Sequence, residues 1–277
     1  MNDRRAHAAV QGDGQGDGRG DGRGDGHAQD RSSLRGRRAL VTGAGRGIGR
    51  AAARALAARG ADVVLMARSP AELGEVADTI RAGGGRASTV PVDLTDDAAL
   101  SAAMREAGDA DILVNCAGTN RPEPFVQVAA RDLDDLLALN FRAVFLTTQR
   151  FVASLLDRGR RGVIVNVTSQ MGHVGAPERS VYCATKHAVE GLTKALAVEL
   201  AGRGIRVLSV APTFVETAMT GAYLADPRFR ESVLAQIPLG RMGTPEEVAD
   251  VVAFAASPAA ELITGSSLLA DGGWVSR

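Results

Sequence analysis

Very little in this chain favours an ionic or membranous partner. Its 277 residues carry 32 basic and 32 acidic side chains, so a formal net charge of zero draws neither nucleic acid nor an anionic membrane surface. No uninterrupted apolar run approaches the roughly 18 residues needed to cross a bilayer. Arg4 and Arg5 have no apolar segment behind them, so the N-terminus is not read as a secretory signal. The only cysteines, Cys116 and Cys183, lie far apart and match no metal-ligand spacing. No metal site is expected, and the setting is expected to be reducing and cytoplasmic. No Gly-Lys-Ser/Thr follows a glycine-rich turn, which excludes a P-loop. Tyrosine and lysine are scarce, with two of each, and the remaining basic charge is arginine.

What is present divides in two. Residues 1–35 hold a run of glycine alternating with aspartate or arginine, from Gly12 to Gly26. Such a segment has almost no apolar surface to offset its ordering entropy, so it is expected to be a disordered tail. From residue 36 to 277 apolar runs alternate with segments rich in Ala, Leu, Arg and Glu. Strands are expected at 39–42, 63–67, 87–92, 112–115, 163–167, 207–211 and 267–269. Short buried strands separated by helical crossovers imply βαβ units, and hence one α/β domain with a doubly wound, seven-stranded parallel sheet covered on both faces. Ser69-Pro70-Ala71-Glu72 and Thr244-Pro245-Glu246-Glu247 each combine a hydroxyl N-cap, a proline and a glutamate, and mark two helix starts. Residues 217–239, interrupted by Pro227 and Pro238, form a less regular helical flap.

Two local patterns carry chemistry. Directly after the first strand comes Thr42-Gly43-Ala44-Gly45-Arg46-Gly47-Ile48-Gly49, followed by a helical run. A glycine-rich turn between a strand and a helix lets backbone approach a pyrophosphate, whose charge is favoured at the helix N-terminus. Tight βα turns also use glycine structurally, and here the flanking elements favour the dinucleotide reading. Further on, Tyr182 and Lys186 are spaced i, i+4 and share one helix face. A phenol with an ordinary pKa near ~10 serves acid–base chemistry poorly at neutral pH unless a fixed cation favours the phenolate. Lysine supplies that cation as a compact ammonium with spare donors. The alternative is a solvent-facing pair on an amphipathic helix.

Taken in order, these residues resemble the short-chain dehydrogenases/reductases over essentially all of 36–277. Thr-Gly-x-x-x-Gly-x-Gly at 42–49 resembles that family's cofactor turn, Asp93-Leu94 its adenine-contacting pair, and Asn115-Cys116-Ala117-Gly118 its Asn-Asn-Ala-Gly signature. Asn140, Ser169, Tyr182 and Lys186 match its catalytic tetrad, with Ser169 thirteen residues before Tyr182. Pro212 opens a segment like its Pro-Gly…Thr stretch, ending in Thr217. Cys116 and Thr213 depart from the pattern, and Thr213 puts a hydroxyl near the expected substrate face. The resemblance implies hydride transfer between a nicotinamide cofactor and a carbonyl or secondary alcohol. Tyr182 would exchange the proton, Lys186 would tune Tyr182 and hold the ribose, Ser169 would bond the reacting oxygen, and Asn140 would help place a water. It also implies cofactor contacts at Gly43, Arg46, Gly47, Ile48, Gly49, Arg68, Asp93, Leu94, Asn115, Ala117, Gly118, Tyr182, Lys186, Pro212, Val215 and Thr217. A homotetramer follows from the resemblance alone. His187 and Cys183, neighbours of the pair, are expected to be non-catalytic.

Ala67 stands where an NAD-selective aspartate would be, followed by Arg68, with Arg46 on the same side. Arginine suits a phosphate through its planar fork, so NADP is expected, with NAD possible. Expected pocket-mouth residues are mostly polar: Thr119, Asn120, Arg121, Gln170, His173, Glu178, Thr213 and Glu216, with Met171, Val174, Phe214 and Met219 as apolar wall. That balance favours a small polar substrate such as a sugar, polyol or sugar acid. One rival reading is a 3-oxoacyl-carrier-protein reductase, which would need a basic docking surface for its acidic carrier. Another is a catalytically silent NADP-binding sensor or scaffold on the same fold.

Overall fold

The alternation of inward-facing side chains along each strand explains the architecture. The computed structural model describes residues 30–217, 220–221 and 224–276. Its strands are β1 (Arg38–Thr42), β2 (Asp62–Ala67), β3 (Arg86–Pro91), β4 (Ile112–Asn115), β5 (Gly162–Val167), β6 (Ile205–Pro212) and β7 (Ser267–Ala270). They form one sheet in the order β3-β2-β1-β4-β5-β6-β7, every pairing parallel. The helices are α1 (Gly47–Ala58), α2 (Pro70–Ala82), α3 (Asp97–Ala107), α4 (Ala130–Leu137), α5 (Ala143–Asp157), α6 (Ser180–Leu200), α7 (Pro227–Leu234) and α8 (Pro245–Ala256).

Successive strand residues serve opposite faces. Ala39, Val41, Val63, Leu65, Ile112, Val114, Val163 and Val165 pack with α1, α2 and α8 in one core. Their neighbours Leu40, Val64, Met66, Leu113 and Ile164 pack with α3, α5 and α6 in the other. A sheet buried on both faces needs the near-continuous apolar runs that the sequence shows. Both marked helix starts form: Ser69 accepts a hydrogen bond from the Glu72 amide, and Thr244 with Glu247 makes a reciprocal capping box.

One boundary moves. Residues 31–35, assigned above to the tail, belong with the folded unit that spans Arg31–Arg277. Leu34 is 1% exposed, and its amide donates to the Arg59 carbonyl at 2.8 Å. Leu34 supplies the apolar surface that the glycine-rich run lacks, so the core claims it. Residues 1–29 lie outside the described residues. In the expected flap, α7 and the apolar cluster of Leu224, Val233, Ile237 and Met242 lie between β6 and α8.

Candidate active site

Two turns meet at the point where the strand order reverses. β1 runs between β2 and β4, so the crossovers leaving β1 and β4 go to opposite faces of the sheet and open a crevice at their carboxyl ends. The Thr42 hydroxyl accepts bonds from the Cys116 and Ala117 amides at 3.0 and 3.2 Å, fastening the two turns together. Gly43 and Gly47 have φ of +67° and +53°, backbone that L side chains rarely adopt. At Gly49 a β-carbon would lie 2.2 Å from the Gly43 carbonyl oxygen, so the first turn of α1 packs against the loop with no room for a side chain. The glycines therefore form a bare backbone cradle at a helix N-terminus, the arrangement suited to a diphosphate. Arg46 occupies the N-cap position with an exposed guanidinium, and Arg68 is exposed just past β2, close enough to act electrostatically on Asp93. A cavity of about 690 Å³ opens beside this turn, lined among others by Arg46, Gly47, Arg50 and Thr217.

The residues expected to do the chemistry converge from three elements. Tyr182 and Lys186 lie on α6, with the lysine Nζ 5.6 Å from the tyrosine ring centroid. Lys186 is 7% exposed and donates to the Val167 carbonyl, at the end of β5, at 3.1 Å. Ser169, two residues further along, lies close enough to the tyrosine hydroxyl to oppose the rise in its pKa. Its own hydroxyl donates to Gln170 Oε1 at 2.7 Å and accepts from the Met171 amide at 3.1 Å. Asn140 sits in a π-helical turn, Ala138–Arg142, between α4 and α5, a distortion that often marks a functional position. Its amide grips both backbone groups of Thr119, accepting from the nitrogen at 2.9 Å and donating to the oxygen at 2.8 Å, and donates to Thr185 Oγ1 at 3.3 Å. Gly118 brings the second turn against this group: a β-carbon there would meet Asn140 Oδ1 at 3.3 Å and Lys186 Nζ at 3.7 Å.

Burial dominates the electrostatics. It lowers the Lys186 ammonium to a pKa of about 8, opposed by its neighbours Cys116 and Glu190. It raises Tyr182 to about 12, opposed by the Ser169 hydrogen bond and the Arg179 guanidinium. The phenol, expected to be drawn down by Lys186, is instead pushed up, because desolvation outweighs every nearby cation and Lys186 spends a donor on Val167. Tyr182 therefore stays protonated at neutral pH. Burial likewise pushes the Cys116 thiol up to about 12, which leaves it protonated and unreactive.

The other residues expected to line the cofactor site make the following contacts within the protein. The Asn115 amide donates to Thr148 Oγ1 and Asn166 Oδ1, both at 2.9 Å, and Asn166 reaches Thr193, so Asn115 tethers α5, β5 and α6 inside the core. Asp93 turns its carboxylate onto the Thr95 amide and hydroxyl, which lowers its pKa, while Leu94 is buried in the core. Ile48 packs partly on the core beside the glycine turn, and Val215 is buried, bridged to Gly243. Pro212 ends β6, and the Thr217 amide donates to Thr220 Oγ1.

At the mouth, Arg121 is committed to Asp132 and Asp135, Glu216 to Arg230, and His173 to Ser267 and Glu190. Phe214 stacks against Phe229 and Trp274. Met219 lies outside the described residues. Among the expected mouth residues Asn120 Oδ1 and Thr213 Oγ1 are buried without a partner. His187 is exposed and donates to its own helix at the Cys183 carbonyl. Among the described residues no cluster of His, Cys, Asp or Glu could hold a metal ion, and no helix is long and apolar enough to cross a membrane.

Two residues of the site were not singled out from sequence: Thr185 supports Asn140, and Glu190 sits buried one turn beyond Lys186. Gln170, expected only at the mouth, accepts the Ser169 hydroxyl. Only Glu190 left a signal, since 182, 186 and 190 continue a single i, i+4 row.

Comparison with known proteins agrees with this geometry. A family model described as enoyl-(acyl carrier protein) reductase matches residues 43–275. The chain is 43% identical to L-xylulose reductase of Bos taurus over 242 residues, covering 87% of this chain and 98% of the relative. It is 41% identical to a 3-oxoacyl-[acyl-carrier-protein] reductase of Vibrio cholerae over 242 residues, with the same two coverages of 87% and 98%. The crystal structure of a gluconate 5-dehydrogenase from Burkholderia cenocepacia, in complex with NADP and tartrate, superposes with a TM-score of 0.87 at 36% identity, covering 91% of this chain and 100% of that one.

Proposed function

This chain belongs to the short-chain dehydrogenase/reductase family of NAD(P)-dependent oxidoreductases, and from that premise we propose that it transfers hydride between NADP(H) and a carbonyl or secondary alcohol of a small sugar, polyol or sugar acid. The observation that carries the reading is the convergence of Tyr182, Ser169 and Lys186 beside the glycine cradle. When bound, the nicotinamide would supply the hydride-exchanging carbon. The glycine turn fits it: Gly43 and Gly49 let the loop close against the second turn and α1, which leaves the N-terminus of α1 to a diphosphate, and the exposed Arg46 and Arg68 would supply planar donors to a ribose phosphate. Ser169 releases Gln170 and bonds the substrate oxygen, where charge develops during reduction. Tyr182 gives that oxygen its proton, or takes it in the reverse direction. Lys186 holds positive charge behind Tyr182 and uses its remaining donors on the ribose. Asn140 fixes the Thr119 segment and keeps the inner end of the site polar.

Two features support a polar substrate. Asn120 and Thr213 each hold a buried oxygen without a partner near the expected mouth, and such atoms are satisfied most readily by hydroxyls. The relatives named for L-xylulose and gluconate act on compounds of this kind. The acyl-carrier reading rests on the Vibrio cholerae relative and the family model's description. The discriminating experiment is NADPH consumption with ketoses and keto-sugar acids, set against a 3-oxoacyl thioester. A kcat/KM higher on the ketoses is expected, and preference for the thioester would overturn the sugar reading. A cytoplasmic homotetramer accompanies the proposal, and light scattering of the purified protein checks the assembly.

A further inference from the structure

The carboxylate of Glu190 has no part in the mechanism above, although it is one of the most enclosed charges in the molecule. Its side chain is 6% exposed and sits one helical turn beyond Lys186 on the same face of α6. Helix side chains lean toward the helix N-terminus, which lays Glu190 over the turn that carries Lys186. The packing agrees: a β-carbon on Gly172 would lie 3.1 Å from Glu190 Cγ and 3.2 Å from the Lys186 carbonyl.

Four groups from three other segments close on the carboxylate. Thr168 donates to Oε1 at 2.5 Å, Ser209 to Oε2 at 2.8 Å and Ser267 to Oε1 at 3.1 Å, while His173 Nε2 stands 3.3 Å from Oε1. Hydroxyl donors favour the ionised form, and burial without them would favour the neutral acid. Three hydroxyls, from just past β5, the middle of β6 and the start of β7, therefore brace this carboxylate one helical turn from the lysine. The other titratable groups in this neighbourhood are Tyr182 and Cys116, which face Lys186, and His173, which faces Glu190. Among the described carboxylates, the charge of Glu190 raises the Lys186 pKa against burial.

We propose that Glu190 is a positioning residue for the Tyr182–Lys186 pair: a buried anion, braced by Thr168, Ser209 and Ser267, that keeps the Lys186 ammonium charged beneath the substrate site. It touches neither substrate nor cofactor and acts only through the lysine. The inference rests on the assignment of Tyr182 and Lys186 as the acid–base pair, but its test does not, because the charge on Lys186 can be read without turnover.

The scarcity of lysine makes that measurement clean. Protein labelled with 13C at lysine Cε gives two signals, from buried Lys186 and from exposed Lys194, which serves as the internal reference. In Glu190→Gln, a near-isosteric change that keeps hydrogen bonding while removing charge, the Lys186 titration should move to lower pH by roughly one unit or more. The limb of the kcat/KM profile governed by the pair should move the same way, because losing a negative charge lowers every neighbouring pKa. Glu190→Asp, which keeps the charge, should titrate near wild type even if it melts earlier. Should the glutamine variant not fold, His173→Arg places a permanent cation against Glu190 and should shift Lys186 in the same direction. A Lys186 titration unmoved in Glu190→Gln, or in His173→Arg where that variant must stand in, would reduce Glu190 to a structural brace. A shifted Lys186 titration with an unmoved kcat/KM limb would instead count against the acid–base assignment.

Discussion

The Cα of Ala117 stands 2.8 Å from the point where Gly43 would carry a β-carbon, so the turns after β1 and β4 touch backbone to backbone. Gly43 also has φ +67°, so alanine there is strained and blocked at once. Gly43→Ala should force the turns apart at a cost of roughly 1–3 kcal/mol, seen as a lower melting temperature, and should weaken NADPH binding measured by fluorescence titration. Unchanged melting and binding would mean that the turns are free to separate.

The cofactor assignment turns on Arg46 and Arg68. If they hold the adenosine phosphate, each charge-assisted bond contributes about 1.5–3 kcal/mol, so losing one costs roughly ten- to a hundredfold in NADP affinity. Ala67→Asp with Arg68→Ile adds a ribose acceptor and repels phosphate, and should turn preference toward NADH. The check is the ratio of kcat/KM for NADPH and NADH in both proteins. A wild type that prefers NADH, or a ratio unchanged by the double variant, would make both arginines ordinary surface residues.

Lys186 titrates near pH 8 in the fold, below its ordinary value of 10.5, because burial disfavours the ammonium. Between those two values the unfolded chain holds the extra proton, so this group's contribution to stability rises with pH across that window and is lost as pH falls through about 8. The melting temperature of wild type minus that of Lys186→Met should therefore climb from pH 8 to 10.5. A flat difference would mean that Lys186 is not desolvated. Carbonyl reduction should decline over the same rise, since the lysine no longer supports proton delivery.

The sequence reading is strongest where a residue's role is local. Strands buried on both faces appear as apolar runs, caps as Ser-Pro and Thr-Pro dipeptides, and the acid–base pair as an i, i+4 spacing of two scarce residues. It is weakest where a side chain has a choice of distant partners. Asn115 belongs to a motif expected at the cofactor, and nothing in that motif foretells that its amide donates to Thr148 and Asn166. Arg121 and His173 are polar residues at the expected mouth, but Asp132 and Asp135 claim one and Glu190 with Ser267 the other. Periodicity identifies the face a residue occupies and is silent on what the fold brings to that face.

The domain boundary gives a further test. Deleting residues 1–29 should leave melting temperature and turnover unchanged. Deletion through residue 35 should lower the melting temperature, because it removes Leu34, whose burial contributes about 1.5–3 kcal/mol. Equal melting temperatures for the two truncations would show that Leu34 adds nothing to the core.

Tyr182→Phe tests the central claim most directly, since it removes one oxygen and little binding surface. Steady-state reduction of the best ketose substrate should fall by roughly a hundredfold to ten-thousandfold in kcat, with the dissociation constant for NADPH nearly unchanged. A phenylalanine variant that keeps most of the wild-type kcat would contradict the assignment of Tyr182 as the proton donor.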